Sequence, residues 1–378
     1  MQGQLRSGGW TYSIQFDPKQ RWQYDYRVNS AEASKARRER GASDRNTTTL
    51  DDDTTQAALR FLMEMDLELA FKDKAIHEAV EYGLQQLIAA QYPIGAWPQR
   101  FNRPPDAAKF PVLPARYPET WSREYPREPY YSHYTFNDNA QARTIELFFL
   151  AHEIYGRPEY LQAAMRGADF ILLAQMPEPQ PAWAQQYNAR MEPAWARRFE
   201  PPAITGSESQ SVLRTLILAY GYTGDRKYLE PVPRALAYLK QSRLPDGRLA
   251  RFYELKTNRP LYFVRDTYEL TYDDSNLPTH YSFKVESRLD AIEEAYQEAL
   301  RTPADKLKPR TARPRPGQAR PSRDLEQQVR RVIDALDERG AWVECNKQST
   351  LKAEQVIDMR TLIRNVDTLA RYLGTRDS

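Results

Sequence analysis

Four short stretches of this chain carry side chains that folding alone does not require. Residues 50–55, LDDDTT, put three adjacent carboxylates, Asp51, Asp52 and Asp53, just ahead of a segment with helical apolar spacing. Residues 136–140, FNDNA, offer the oxygens of Asn137, Asp138 and Asn139 in the same kind of place. Residues 182–203, AWAQQYNARMEPAWARRFEPPA, cannot form a regular helix, because Pro193, Pro201 and Pro202 interrupt them; they set Arg197 and Arg198 beside Glu200. Farther on, Arg251 stands in RFYE and Arg265 in VRD.

Each stretch has a structural and a chemical reading. Asp, Asn and their neighbours at helix starts can cap and satisfy the helix dipole. Three adjacent acids exceed what a cap needs and repel one another, and a hard cation such as calcium would relieve that repulsion through oxygen ligands. Neither stretch has the D-x-D-x-D-G spacing of an EF-hand loop. The arginines can pair structurally with Glu200, Glu254 and Asp266, or, beside Trp and Tyr at a cleft, form the fork that grips a carboxylate at two points. A cleft of that kind suits an acidic sugar polymer. His77, His133, His152 and His280 show no i, i+4 pairing and no HExxH, which argues against zinc. No Gly-rich phosphate loop and no G-x-S-x-G elbow occurs.

Composition narrows the setting. With 54 basic and 51 acidic residues in 378, the net charge is +3, too balanced for a general nucleic-acid binder. The 24 Tyr and 7 Trp suit surfaces that stack on sugar rings while keeping a polar edge wet. A single cysteine, Cys345, excludes an internal disulfide and a Cys-based zinc cluster. No run of about 18 apolar residues is present, so no membrane span is expected.

Helical hairpins must position these stretches. Apolar spacing predicts a helix from Thr54 with Ala58, Leu62, Met65 and Leu69 on one face, and an antiparallel partner with Ile76, Val80, Leu84, Leu87 and Ile88. A second pair is expected with Asn137 or Asp138 as its cap, Gly156 ending the first helix and Pro158 starting the next. A third pair is expected at 207–222 and 227–241, and single helices at 285–300, 325–338 and 356–373. The polar residues 29–46 read as mobile, and 303–323 as an exposed Pro- and Arg-rich linker. Gln4 precedes SGGW, Gln91 precedes PIGAW, Gln175 precedes PEPQPAW and Gln241 precedes LPDGRL. This internal repeat of helix end, Gln and Gly/Pro turn predicts a mainly α fold, an incomplete α/α toroid of hairpins whose long irregular turns ring a cleft. Three divisions follow: 1–301 as the toroid, 302–323 as linker, and 324–378 as helices packing on the toroid. Because Gln4 stands where a preceding hairpin would end, an upstream segment with further helices is also expected.

The ordered set LDDDTT, GAWPQRF, FNDNA, RRFEPP, then DGR with RFYEL and a following RD, resembles the family 10 polysaccharide lyases, the pectate or pectic acid lyases. The resemblance runs in register from about Gln4 to Arg265 and, more weakly, to Leu373. It implies calcium-dependent anti β-elimination of α-1,4-polygalacturonate to 4,5-unsaturated products, by a monomer acting outside the cytoplasm without nucleic acid or membrane. It further implies that Arg197 is the base removing the C5 proton, that Asp138, Asp51 and Asp52 hold Ca2+, and that Arg166, Arg251, Arg265, Trp97 and Arg100 bind substrate. The chain departs from the family in having Asp51–Asp53 for Asp-Asn-Gly, Asp138-Asn139 for Asp-Asp, and Arg166 for Lys. Two rivals are an α/α-toroid glycoside hydrolase using Asp138 and Glu200, and a pectin-binding protein whose site has decayed.

Overall fold

The structure, a computed structural model, describes residues 1–15, 19–29, 46–308, 322–345 and 355–376. Most of the polar stretch 29–46 and of the Pro- and Arg-rich stretch 303–323 therefore lies outside the described residues. The chain divides into two compact units, 1–308 and 309–378.

Three helical hairpins build the first unit: α1 (Thr54–Glu68) with α2 (Lys74–Ala90), α3 (Ala140–Tyr155) with α4 (Pro158–Ala174), and α5 (Glu208–Thr223) with α6 (Val232–Gln241). Helix α7 (Leu289–Arg301) and the single turn α8 (Ala304–Leu307) pack against α5. Sequence explains the helices locally. Asp73 caps α2 by accepting from the N–H groups of Ala75 and Ile76, and the buried Ile76, Val80, Leu84 and Leu87 give α2 its core face. Gly156 ends α3 in the left-handed conformation, and Pro158 opens α4. The first helices of the hairpins, α1, α3 and α5, touch in sequence and form an inner row.

The turns obey one rule, which makes the repeat explicit. The Gln4 Nε2 donates to Gly8 O and Ala79 O, both at 2.8 Å. Gln91 Nε2 donates to Gly95 O at 2.8 Å and Ala163 O at 3.0 Å. Gln175 Nε2 donates to Pro181 O at 2.9 Å and Pro231 O at 3.2 Å. Each amide thus closes its own turn and ties it to a neighbouring hairpin, and each amide oxygen accepts from an arginine: Arg27, Arg166 and Arg234. Gly95 is required where it stands: φ is +99°, and a Cβ would lie 2.0 Å from Arg166 O. The fourth expected member fails. Gln241 is exposed and makes no such clamp; that helix end is held instead by Tyr253 Oη on Ser242 O at 2.6 Å and by Asn258 Nδ2 on Ser242 Oγ at 2.9 Å.

Short strands fix the start of every inner helix. Strands β1 (Thr48–Thr49), β3 (Tyr134–Thr135) and β5 (Ala203–Thr205) precede α1, α3 and α5. Their antiparallel partners are β2 (Arg100–Phe101), β4 (Gln186–Tyr187) and β7 (Phe252–Glu254), and β6 (Leu249–Ala250) lies just before β7. β7 continues into β8 (Pro260–Phe263) and β9 (Leu270–Thr271). Pairing of β10 (Lys284–Val285) with β6 consumes the residues expected to begin α7, which therefore starts at Leu289.

In the second unit, α9 (Arg323–Asp334) packs against α10 (Met359–Arg376), and β11 (Glu344–Cys345) pairs with β12 (Gln355–Val356). Among the described residues no helix is long and apolar enough to cross a membrane.

Candidate active site

The residues ahead of the inner helices are equivalent by geometry. Thr49, Thr135 and Thr205 each accept, through Oγ1, the N–H two residues on, from Asp51, Asn137 and Ser207 at 3.2, 3.1 and 3.1 Å. In the first two repeats a 3-10 turn follows, with two consecutive left-handed residues: Asp52 (φ 51°) and Asp53 (φ 58°), then Asp138 (φ 49°) and Asn139 (φ 58°). The capping expectation fails here. No side chain of either stretch caps its helix, because the left-handed pair turns the carboxylates away from the helix N–H groups and toward one another.

One carboxylate oxygen from each of Asp51, Asp52 and Asp138 lies within 4.8 Å of the others. Oxygens sharing one calcium ion at about 2.3–2.6 Å can lie up to about 5 Å apart, so this spacing is compatible with a common ion. Asp51 is buried, Tyr12 engages its Oδ2, and among the described residues no protein donor in good geometry reaches its Oδ1, which is open to a cation or to a proton carried by Asp138. The donor set is oxygen only, which fits a hard ion. Partial burial, a hydrogen bond to Asp51 and the charges of Asp51 and Asp52 push the Asp138 pKa up to about 7, against the pull of Arg197. Burial also pushes the Asp51 carboxyl up, but hydrogen bonds from Asp138, Tyr12 and Gln99 and the charge of Arg197 outweigh it and hold the group below the ordinary range. The two acids therefore share a proton when nothing else neutralises them. Tyr12 Oη donates to Asp51, and Arg100 Nη2 stands 3.8 Å from the same carboxylate, between the rings of Tyr12 and Tyr131.

Two guanidinium groups lie close enough to interact electrostatically with Asp138. Arg197 donates from Nε to Glu200 Oε2 at 2.9 Å and from Nη2 to Oε1 at 2.7 Å. Burial opposes its charge, but this two-point pairing, with Tyr281 and Asp138 adding to it, pushes its pKa well above the ordinary value. Arg251 bonds Glu208 Oε1 at 3.0 Å and Ser282 O at 2.7 Å. The Tyr281 ring links them, lying 5.6 Å from the Arg197 guanidinium carbon and 4.4 Å from that of Arg251, while its hydroxyl contacts Glu200 at 3.1 Å. Arg198 diverges, donating to Thr267 O across the Tyr268 ring.

Residues 4–248 match the pectic acid lyase family. This chain belongs to that family. It is a polysaccharide lyase. Two solved structures share the fold. The family 10 polysaccharide lyase from Cellvibrio cellulosa aligns over 80% of this chain and 90% of its own, at 22% identity and TM-score 0.55. An aspartate-to-alanine mutant of that lyase, in complex with trigalacturonic acid, aligns over 79% and 90%, at 21% identity and TM-score 0.55. No curated protein matches the chain. The likeness shows the fold: mainly α, an α/α toroid of hairpins.

Within this lyase, not all expected site residues meet at the cluster. Trp97 is a correction: it is 0% exposed, its Nε1 donates to Leu87 O and its ring stacks on Phe148, so it cannot touch a substrate. Arg166 lies on α4 with Nε and Nη2 both on Gln91, at 2.9 and 2.6 Å, where it completes a turn clamp. Arg265 is exposed beyond β8, with its Nε on Leu277 O at 3.0 Å. Nothing in the local spacing of Tyr12, Glu208 and Tyr281 marks them in the sequence; only the tertiary pairing of distant loops brings them to the site.

Proposed function

We propose that this lyase cleaves α-1,4-polygalacturonate by anti β-elimination in the presence of calcium, giving 4,5-unsaturated oligogalacturonides. The observation that supports it best is the meeting of Asp51, Asp52 and Asp138 with the guanidinium groups of Arg197 and Arg251. The three carboxylates would hold calcium, which when bound stabilises the negative charge that builds on the uronate carboxyl as its α-proton leaves. Arg251 positions the substrate carboxylate. Its Nη1 and Nε are engaged by Glu208 and Ser282, and among the described residues no hydrogen bond engages Nη2.

Arg197 is the proposed base. The C5 proton passes to it, the C4–O4 bond breaks, the C4–C5 double bond forms, and the departing oxygen takes a proton from water. Glu200 sets a condition on this step, because it stabilises the protonated guanidinium and must be outweighed before Arg197 can accept a proton. Alkaline conditions are therefore required. The hydrolase alternative is disfavoured by the same carboxylate: Glu200 is buried, and both of its oxygens are taken by Arg197, Gln185 and Tyr281, leaving no place for an activated water. A polymeric substrate also places the reaction outside the cytoplasm. The test is ultraviolet absorbance of the conjugated product from polygalacturonate, with calcium and after chelation. No absorbance under either condition would refute the proposal, and full activity in excess chelator would remove the cation from it.

A further inference from the structure

A second feature adjoins the acidic cluster on the side of Asn139, the residue after Asp138. A cavity of about 530 Å³ opens there, within the size range of small-molecule sites. Four cations line it: Arg214 of α5, Arg251 just before β7, Lys284 of β10, and Arg288 just before α7. The walls come from separate segments that are bonded together. The β10–β6 pairing brings Lys284 opposite Ala250, and the Arg251 N–H donates to Phe283 O at 2.8 Å. Gln210 stitches the start of α5 to the same wall, donating to Gly206 O and Glu286 O at 2.9 and 3.2 Å and accepting from the Arg288 N–H at 2.6 Å.

The charges are not balanced by one another. Arg251 is answered by the buried Glu208, and Lys284 by Asp274. Arg214 and Arg288 have no carboxylate within ion-pair distance among the described residues, and of the lining residues only Glu286 is acidic. The N-terminus of α5 opens on the same cavity through Ser207 and Ser211, and Ser207 makes no side-chain cap bond, so the helix dipole adds to the positive potential. A pocket with two unanswered guanidiniums, polar walls and room for more than one small ion is built for a carboxylate carried on a polar body.

We propose that Arg214 and Arg288 form a subsite for the carboxylate of a galacturonate unit next to the one that loses its proton. This rests on the polygalacturonate reading, and it assigns the specificity for chain length to residues outside the acidic cluster. Lys284 and Arg288 lie beyond residues 4–248, the stretch that matches the family.

The test uses the full chain and the double variant Arg214→Gln, Arg288→Gln, with Arg301→Gln as a charge control on an exposed face. For the double variant KM on polygalacturonate is expected to rise about tenfold or more, the loss of one or two charge-assisted contacts, while kcat changes little. The affinity of the calcium-loaded protein for trigalacturonic acid and for longer oligomers, by calorimetry, should fall together with it. Inorganic sulfate should compete in the parent and not in the double variant. An unchanged KM and unchanged oligomer affinity overturn the subsite, as does an equal effect of Arg301→Gln. Sulfate binding lost in the double variant, with oligogalacturonate binding untouched, also overturns it, since the pocket then serves an inorganic anion only. If the parent shows no elimination but binds oligogalacturonate through Arg214 and Arg288, the lyase proposal fails while the subsite stands.

Discussion

If the three carboxylates hold calcium as proposed, the raised pKa of Asp138 makes that binding depend on pH in a calculable way. Asp138 must be ionised to serve a cation, and its pKa stands at about 7 in the metal-free protein. The ionised fraction is then about 1% at pH 5, about 10% at pH 6 and about 90% at pH 8. Apparent calcium affinity should therefore rise about tenfold per pH unit up to pH 7 and flatten above it, and one proton should leave per ion bound at pH 5 and almost none at pH 9. The sign for stability follows from the same shift. Folding raises this carboxyl above its ordinary value of about 4, so the folded state holds the proton more tightly, and the metal-free protein loses stability as pH climbs from about 4 to about 7. Calcium should restore more stability at pH 8 than at pH 5. Calorimetric titration with calcium in two buffers of different ionisation heat measures both the affinity and the proton count. Asp138→Asn should weaken binding and abolish the proton release. A flat affinity between pH 5 and 7, or no proton release at pH 5, would show that Asp51 and Asp138 do not share a proton and would refute the reasoning.

Arg197→Ala should lower kcat by about 10²–10⁴-fold with polygalacturonate affinity largely retained, whereas Arg198→Ala, whose guanidinium turns to Thr267, should leave kcat within a few-fold; the reverse pattern would move the base by one residue. Glu200→Gln should shift the alkaline rise of the rate toward lower pH, because it removes the anion that stabilises the protonated Arg197; an unshifted profile would detach Arg197 from proton transfer. Gln91→Ala should cost about 2–3 kcal/mol of stability, for two lost buried hydrogen bonds and a stranded Arg166, while Gln241→Ala should stay within about 0.5 kcal/mol; chemical denaturation followed by circular dichroism separates the two. Trp97→Ala should destabilise by about 3–5 kcal/mol and leave KM of the surviving folded fraction unchanged.

What was legible in the sequence is what local rules write there. Helix periodicity, Gly156 and Pro158 locate the hairpins, and the grouping of Asp51, Asp52 and Asp138 comes from the family resemblance that the ordered motifs carry, not from spacing. The Gln turns were visible as a repeat, but their purpose was not, since Gln91 acts on Ala163, 72 positions away. Trp97 was misjudged because a tryptophan at a cleft turn looks the same in sequence whether it faces sugar or core. Here Trp97 and Trp183 both send their indole N–H back to the preceding helix and are fully buried. Tyr281 escaped notice for the opposite reason: it joins two arginines 54 positions apart, and no neighbour of its own announces that.

The paired left-handed residues ahead of α1 and α3 limit how this site can change. At Asp52, Asp53, Asp138 and Asn139 the backbone tolerates little beyond Gly, Asn and Asp, the types that visit positive φ at low cost. Two of that three-letter alphabet carry an oxygen that can reach a cation, and only one carries charge. At Asp52 and Asp138, the two of these that belong to the acidic cluster, drift therefore moves in steps between ligand, weaker ligand and none, without passing through residues that would break the turn. The ladder of charge in the cluster can be lengthened or shortened while the hairpins beneath stay as they are. Libraries restricted to Gly, Asn and Asp at these four positions would sample cation affinity almost free of folding defects, whereas unrestricted libraries would confuse the two.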